Sequence, residues 1–493
     1  GVQVQDSLLI FRPPAPKSLP FEPTTIEVTD VEPNEEVWLS RGDFLNVRMK
    51  GSPGGQAIFS VEKYERHIPM VEIDSSEAGV AGIYRGVLRI GADLPTERPL
   101  NITFELHGRD GHKKTAEAPG RLTVLSEKIP LAAQTVQTAS VHRSAERHLP
   151  IMRLTENVRL QVIGREKKRY KVRFSDQQIG FVDIENVSLL PPGTPLPRVS
   201  ISAPIISQDR DWFRLVFTID RPVAFTVEKA LDSNRLDLTL FGAQQSSHWI
   251  SYPSYSIDLQ NLQLAQPEEA VFRVSVALNQ KRLWGYKVEF GEKTMTFAVR
   301  RTPEINAQYP LQGITIALDP GHGGDENGAV SPLGILEKDV NLKWARTLTV
   351  LLNRAGARAV LTRDADEAVS LPERIRRAEA AEALFFLSLH NNGVPPSGNA
   401  AVAEGTGIFF SLPQNQEPAW AIYPHLVKVG LKPYGRVYNS YYVTNSTAFL
   451  AVLIEGGFLT HPQEELKLAD PVFIERMSSA IVDGLTDFLR AQR

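Results

Sequence analysis

The sequence predicts a multidomain chain: three N-terminal all-β modules followed by a C-terminal α/β domain with a mainly parallel sheet flanked by helices. Three observations carry this expectation. The 493 residues exceed what one core organises, since domains run at about 150 residues each. Up to about residue 302, short alternating segments are separated by Gly, Pro, Asp and Asn punctuation, the grammar of all-β units. Beyond that point, strand-length apolar runs alternate with segments of helical period, as in an α/β sheet. Apolar residues make up 42% of the chain and charged residues 23%, a globular balance that excludes wholesale disorder and fibrous repeats. The longest apolar runs, such as 383–389, fall well short of the ~18 residues of a spanning helix, so no membrane span is expected. A net charge of −3 carries no nucleic-acid signature. The absence of cysteine excludes disulfides, thiol nucleophiles and thiolate metal ligands and leaves the compartment open. The chain begins Gly1-Val2 with no Met or apolar leader, which reads as a processed form whose export signal has gone.

Taken in order, residues 1–23 carry Pro13, Pro14, Pro16, Pro20 and Pro23 and read as a stiff Pro-rich linker. Residues 24–125 show strand patterns at 44–49, 57–61 and 84–90, with Gly51, Pro53, Gly54 and Gly55 as a turn, the spacing of an immunoglobulin-like β-sandwich. In 126–195, Tyr170, Val172 and Phe174 share one strand face, Ser175 and Asp176 turn, and Ile179 to Val182 return. This hairpin resembles the bacterial Src-homology-type small β-barrel, a module attached to cell-wall enzymes. From His142 to Arg173 there are ten Lys plus Arg against three Glu, an excess of +7, suited to an anionic polymer or simply a solvated charged face. In 196–302, Phe213, Leu215, Phe217 and Ile219 alternate, Arg221 and Pro222 break the strand, and 235–240 alternates again. This unit resembles an AMIN domain, a β module that localises envelope enzymes, with a generic sandwich as the alternative. In the last unit, 312–493, strands are expected at 314–318, 357–362, 384–390, 407–412 and 449–455. One helix carries Val340, Trp344, Leu348 and Leu351 and ends at Gly356. A last helix is capped by Asp470, opened by Pro471 and striped by Phe473, Met477, Ile481, Leu485 and Phe488.

Four constellations carry chemistry. An apolar strand runs through Asp319 and Pro320 into Gly321-His322-Gly323-Gly324, delivering a histidine at a strand's carboxyl end, where ligands bind in open α/β sheets. A second apolar strand delivers His390, followed by Asn391 and Asn392, which are candidate substrate contacts, with turn formation explaining them almost as well. Between them Glu337 opens the first amphipathic helix. Two imidazoles and a carboxylate, His322, Glu337 and His390, make the ligand set of a hydrolytic zinc site that leaves a position for water. A fourth strand ends in Glu455-Gly456-Gly457, placing a carboxylate where a general base is needed and leaving room for substrate.

In this order, over residues ~313–491, the four motifs resemble the zinc-dependent N-acetylmuramoyl-L-alanine amidases of bacterial cell-wall turnover, the type-three family. The resemblance implies one zinc on His322, Glu337 and His390, and Glu455 as the catalytic acid/base. Leu361-Thr362-Arg363-Asp364 and Leu371 with Arg374 match the family as buttresses of the fold. The sequence departs from the pattern at Leu450, where proline is usual, at Thr444 and Asn445, where an arginine is common, and at His461, in place of asparagine. His425 and His461 are expected at the surface or behind the site.

The resemblance implies hydrolysis of the amide between N-acetylmuramic acid and the L-alanine of the stem peptide, in wall turnover or cell separation. Peptidoglycan would be the partner, with other envelope proteins reached through the β modules, at an extracytoplasmic location in the periplasm or wall. The alternatives are a zinc peptidase acting on the stem peptide and a weakly active wall-binding scaffold. Regulated members of the family carry a helix that plugs the site between the second histidine and the catalytic glutamate. Here the 64 intervening residues are already filled by two expected strands and a weak helix near 417–430. The segment 303–493 alone is therefore expected to be active.

Overall fold

A computed structural model describes residues 17–146, 150–196, 198–230, 235–247, 249–255, 257–395 and 398–492. Of the expected Pro-rich linker, residues 1–16 lie outside this set. The region up to Arg300 is mostly β and the C-terminal region is α/β.

The first β unit packs around a buried cluster that includes Val47, Phe59, Phe104 and Leu122. Its Trp38 pairs with Arg165, so the sheet containing Val37–Leu39 continues into the strands of the second unit. The second unit's cluster, with Val141, Leu160, Val172 and Val182, takes in Ala224, Phe241 and Val271 from the third. The third unit encloses Phe213, Leu238, Phe272 and Phe297 between two four-stranded sheets. Two clusters thus cross the expected boundaries at 195 and 302. The second crossing has the larger consequence, because Trp284 is fully buried within the C-terminal core. Its ring lies 5.9 Å from that of Phe488. Beside it, the Arg282 guanidinium stands 4.6 Å from the Phe488 centroid and pairs with Glu417 at 3.0 Å.

The C-terminal sheet is built from β1 (Thr315–Pro320), β2 (Arg358–Leu361), β3 (Phe385–Asn392), β4 (Thr406–Phe410), β5 (Pro433–Tyr438) and β6 (Leu450–Phe458). Their order is β2-β1-β3-β6-β4-β5. β1 runs parallel to β2 and β3, β3 parallel to β6, β4 parallel to β5, and β4 antiparallel to β6. The inner strands β1, β3, β6 and β4 are mostly apolar on both faces because both are covered. Phe385, Leu387 and Leu389 face one cluster and Phe386 the other, with Phe449 and Leu453, the period of two expected of a pleated strand.

Helices α1 (Glu337–Arg354), α3 (Gln416–Val427) and α5 (Pro471–Arg490) supply the first face, and α2 (Leu371–Ala380) covers the second. On α1 the stripe runs Val340, Trp344, Leu348, Leu352, with Leu352 fully buried. The expected Leu351 sits only half-buried beside it, because a straight step of four keeps the stripe on one side over this length. α5 starts as expected, the Asp470 carboxylate accepting from the Val472 N–H at 3.0 Å with Pro471 in the first turn. A short helix, α4 (Glu464–Ala469), precedes it. Among the described residues, no helix is long and apolar enough to cross a membrane.

Candidate metal and catalytic site

The parallel register of β3 and β6 places His390 directly beside Glu455. β1 ends level with them, Pro320 against Leu389, so the chain leaving β1 brings His322 over the same carboxyl edge. There the His322 backbone is left-handed, with φ of 62°, a conformation costing a non-glycine residue roughly 1–2 kcal/mol. Two buried arginines hold the turn in place. Arg374, at the start of α2, donates to the carbonyls of Pro320 at 2.7 Å, His322 at 2.7 Å and Val369 at 3.0 Å. It also pairs with Asp319 at 2.8 Å. Arg363, after β2, donates to Pro320 at 2.9 Å, Gly321 at 3.0 Å and Lys338 at 2.8 Å. Asp319 further accepts from the hydroxyls of Thr362 and Ser388, at 2.5 and 2.8 Å. Every orphan carbonyl of this turn therefore meets a charged donor, the stronger class of hydrogen bond. Of the expected buttressing residues, Thr362, Arg363 and Arg374 are thus direct supports of the histidine loop, while Leu361 packs on the core, Asp364 is exposed, and Leu371 is 48% exposed and lines the cleft.

Glu337, at the first turn of α1, lies between the two imidazoles. His322 Nε2 is 3.2 Å from Oε2 and His390 Nδ1 is 3.0 Å from Oε1, and the two rings meet edge to face at 4.9 Å. The backbone N–H groups of Ala329 and Asn391 also donate to the carboxylate, at 2.8 and 3.1 Å. Burial alone would raise the Glu337 pKa, but the hydrogen bonds from both histidines outweigh it and hold the group well below the usual range. For His390, burial opposes the charged ring, yet the bond to Glu337 and the nearby charge of Glu455 raise its pKa.

One ligand atom from each of His322, Glu337 and His390 lies within 4.8 Å of the others, so the three fit a single cation. The glycines around them leave the space this requires. A Cβ on Gly321 would overlap the His390 ring, and one on Gly328, whose φ is +68°, would overlap Glu337 and His322.

Glu455 faces this cluster from mid-β6, with Thr406 Oγ1 donating to its carbonyl at 2.8 Å. Its Oε2 is buried with no hydrogen-bond partner in the protein. Burial, reinforced by the Glu337 charge and opposed by His390, pushes its carboxyl up to about 7, the range in which a carboxylate exchanges protons at neutral pH. His322, His390 and Glu455 line one cleft of about 780 Å³, together with Tyr441, Tyr442 and Val443.

Neither asparagine is among the residues lining this cleft. Asn391 is 1% exposed, and a register shift between His390 and Asn392 turns its amide beneath the sheet edge, where Nδ2 donates to Asn341 Oδ1 at 2.8 Å. Asn392 Oδ1 accepts from the next N–H, that of Gly393, at 2.9 Å, so it shapes the turn. Asn341 is the residue that sequence reasoning missed. It donates to Glu337 Oε1 at 3.2 Å and to the Gly321 carbonyl at 3.3 Å, joining ligand, loop and Asn391. Its only signal is a polar side chain four residues after Glu337 on the same helix face. His461 is buried rather than at the surface, and its carbonyl accepts from Glu464 and Glu465 at the start of α4, both at 3.0 Å. His425 pairs with Asp487 at 3.0 Å on the far side of the domain. Of the departures, Leu450 is a buried β6 residue paired with Phe385, Thr444 bonds the Ser411 hydroxyl and Asn445 the Ser440 hydroxyl at 3.0 Å.

Residues 316–487 match the Amidase_3 family, N-acetylmuramoyl-L-alanine amidase. The chain is 32% identical over 218 residues to N-acetylmuramoyl-L-alanine amidase LytC of Bacillus subtilis, covering 42% of this chain and 43% of that protein. It is 35% identical over 182 residues to the probable cell wall amidase LytH of Staphylococcus epidermidis, covering 36% and 60% respectively. The chain thus spans about half the length of these two curated relatives. With the uncharacterized protein YqiI of Bacillus subtilis it shares 32% identity over 197 residues, 39% of this chain and 92% of that one. The solved structure of N-acetylmuramoyl-L-alanine amidase AmiC2 of Nostoc punctiforme aligns at 30% identity and a TM-score of 0.35, over 36% of this chain and 99% of that chain. Through residues 316–487 the chain belongs to the N-acetylmuramoyl-L-alanine amidase family.

Proposed function

We propose that this protein is a zinc-dependent peptidoglycan hydrolase that cleaves the amide between N-acetylmuramic acid and the L-alanine of the stem peptide. The observation that carries the proposal is the register pairing of His390 with Glu455, which brings a partnerless carboxylate to the same cleft as the His322, Glu337 and His390 cluster. Those three residues would hold the zinc, a donor set of two imidazoles and one carboxylate suited to that ion. Bound there, zinc supplies Lewis-acid polarisation of the scissile carbonyl and makes water more acidic. Glu455 takes the proton from the attacking water and delivers it to the departing amine nitrogen, which the raised pKa of its carboxyl allows in both directions. Asn341 and the Ala329 N–H hold the Glu337 carboxylate in its bridging position, while Arg363 and Arg374 hold the carbonyls beneath His322.

Such a substrate places the protein outside the cytoplasm, at the wall, in keeping with the name of its cell wall relative. In this reading residues 312–493 carry the chemistry, and the β units at 24–125, 126–195 and 196–302 place it on the wall, as immunoglobulin-like, Src-homology-like and AMIN-like modules. The role served is wall turnover or cell separation. Mass spectrometry of purified peptidoglycan treated with zinc-loaded protein tests the proposal. Free stem peptides beginning with L-alanine are expected, and none from the Glu455→Gln variant with zinc still bound. Shortened peptides still joined to muramic acid would indicate a peptidase instead, and no product from folded, zinc-loaded protein would indicate a scaffold.

A further inference from the structure

The row of residues that begins with His390 and Glu455 continues across the sheet without side chains. Glu455 on β6 stands against Gly407 on β4, and Gly407 against Gly435 on β5. Paired residues project to the same face with Cβ positions about 5 Å apart, so the face carrying the Glu455 carboxylate is bare across β4 and β5. A register shift between Thr406 and Gly407 leaves Tyr434 without a partner on β4, an irregularity of the kind that re-aims a side chain. Its ring comes over the bare floor, with Cδ1 3.0 Å from the place a Gly407 Cβ would take. The ring edge therefore lies within about 9 Å of the Glu455 Cβ. Phe458, at 5.4 Å, and Phe409, at 6.4 Å, hold the ring there, and 50% of the residue is still exposed.

Phe409 also joins this ring to the cleft. Tyr441 lines the cleft and meets Phe409 edge-on at 5.6 Å, so Tyr441, Phe409 and Tyr434 form an aromatic strip that leaves the cleft beside Glu455. Tyr442 is not part of it, because its hydroxyl accepts from Arg153 at 2.6 Å and the same guanidinium stands 5.1 Å from its ring centroid. Charge distinguishes the two directions away from Glu455. In the histidine loop, the cleft-lining Asp325 and Glu326 are exposed acids. Toward Tyr434, the floor is glycine and its flank aromatic, and Lys432, shortly before Tyr434, is paired with Glu404 at 2.6 Å. The Tyr434 hydroxyl forms no hydrogen bond among the described residues.

A neutral aromatic face with a hydroxyl at its rim suits a ligand that is apolar on its flat side and polar around its edge, as a pyranose is. The charged peptide of the substrate does not match it. The pyranose also comes close enough, since the lactyl group ties it to the scissile carbonyl through one carbon and one ether oxygen. We propose that Tyr434, together with Tyr441, stacks on the sugar ring at the muramoyl side of the scissile bond and so selects amides carried on a saccharide over simple acyl peptides. This rests on the amidase reading of the site. Tyr434 is then a binding residue that takes no part in proton transfer, and the peptide leaves along the acidic side.

The test uses the full, zinc-loaded chain on two soluble substrates with the same peptide: the N-acetylmuramoyl peptide, and the lactoyl peptide that keeps the scissile amide and lacks the sugar. Loss of one aromatic stacking contact corresponds to a KM about tenfold higher. We expect the wild type to show a KM lower by about that factor on the muramoyl peptide. Tyr434→Phe should keep most of this advantage, and Tyr434→Leu, which still fills the space against Phe409 and Phe458, should erase it, with the change in KM rather than kcat. Equal losses on both substrates would reduce Tyr434 to a support of the sheet edge. A wild type indifferent to the sugar, or a Tyr434→Leu variant that retains the advantage, would remove the subsite, so each of these results overturns the proposal. Release of peptide from the muramoyl substrate by the wild type reports on the amidase reading separately. If none is released, calorimetric binding of the two compounds to the Glu455→Gln protein decides the matter: tighter binding of the muramoyl compound that Tyr434→Leu abolishes upholds the proposal, and equal binding ends it.

Discussion

Replacing Trp284 with alanine should destabilise the C-terminal domain even though the residue lies upstream of it. The indole is 0% exposed and packs on Phe488, which in turn packs on Phe385 of β3, the strand that carries His390. Large aromatic-to-alanine changes in cores cost about 3–5 kcal/mol. Two local terms adjust that figure. The indole N–H is buried without a partner, so its removal also relieves a penalty of about 1–3 kcal/mol. Against this, Arg282 loses the indole ring it stands over at 5.3 Å, and its side chain is itself largely buried. The balance lies toward the lower end, about 3 kcal/mol, a substantial share of the 5–15 kcal/mol that holds a typical domain together. Urea unfolding with amide hydrogen exchange read on α5 and β3 measures it, because exchange resolves the domain within a chain that will not unfold in one step. The variant Trp249→Ala, at a site 85% exposed, serves as the control and should stay within about 0.5 kcal/mol. The same reasoning bears on the stability of the isolated segment. Cut at residue 303, it lacks Trp284, Arg282 and the Tyr286 N–H bond to Thr447, 2.6 Å long, and should be less stable than 196–493 by at least the Trp284 increment. Equal protection of β3 in the two segments, or a Trp284→Ala cost below about 1 kcal/mol, would refute the claim of a shared core.

Gly321→Ala should weaken metal binding, read by equilibrium dialysis, because the new Cβ displaces the His390 ring; with metal at saturation, a misplacement near 1 Å predicts a loss of about a hundredfold in hydrolysis. Arg374→Ala leaves Asp319 buried and uncompensated and should cost about 3–5 kcal/mol in a thermal melt, with Arg374→Lys recovering little, since one ammonium cannot reach four separate acceptors. With its carboxyl raised to about 7, Glu455 is protonated and inert as a base below that pH, so hydrolysis should climb as pH passes through the neutral range. Cation binding at the neighbouring ligands favours the carboxylate and should move this limb to lower pH. A carbon-NMR titration of Glu455 in metal-free protein with its midpoint near 4.5, the value of an unperturbed carboxyl, would contradict the burial argument.

The residues of the site were legible in the sequence because each interrupts a strong pattern. His322, His390 and Glu455 are polar groups placed where an apolar strand ends, and Glu337 opens an apolar helical stripe. A core offers no reason for such residues, so a site does. The supports were less legible for a physical reason. Arg363 and Arg374 bind backbone carbonyls, which carry no side-chain identity to match against. Asn391 was misread because its direction depends on the register shift beside His390, a feature of strand pairing rather than of the sequence around it. Trp284 and Arg153 were invisible as parts of the C-terminal domain, since their partners lie some hundreds of residues away, Tyr442 being 289 positions from Arg153. The module boundaries were drawn where the local grammar changes, and side-chain packing crosses them.

Two groups of residues lining the cleft are held by different means. On the histidine side, the hydrogen bonds to the loop and the carboxylate come from the C-terminal domain: two buried arginines on the loop carbonyls, and a carboxylate fixed by both rings, two backbone N–H groups and Asn341. Side chains bound in this way lose little further freedom when reacting groups arrive, which is the condition for precise catalytic geometry. The segment from Tyr441 to Ala448, which contributes Tyr441, Tyr442 and Val443 to the lining, is gripped by the upstream units. The Thr447 hydroxyl donates to the Tyr286 carbonyl at 2.9 Å, the Gly285 backbone lies so close to the Ala448 carbonyl that no side chain fits between, and Arg153 holds Tyr442. A change in how the β units sit therefore reaches these lining residues directly, and reaches β3 and His390 through the packing of Trp284 on Phe488 and of Phe488 on Phe385. Coupling of the first kind acts on KM before it acts on kcat, because interactions that hold substrate and transition state alike alter binding without altering the chemical step.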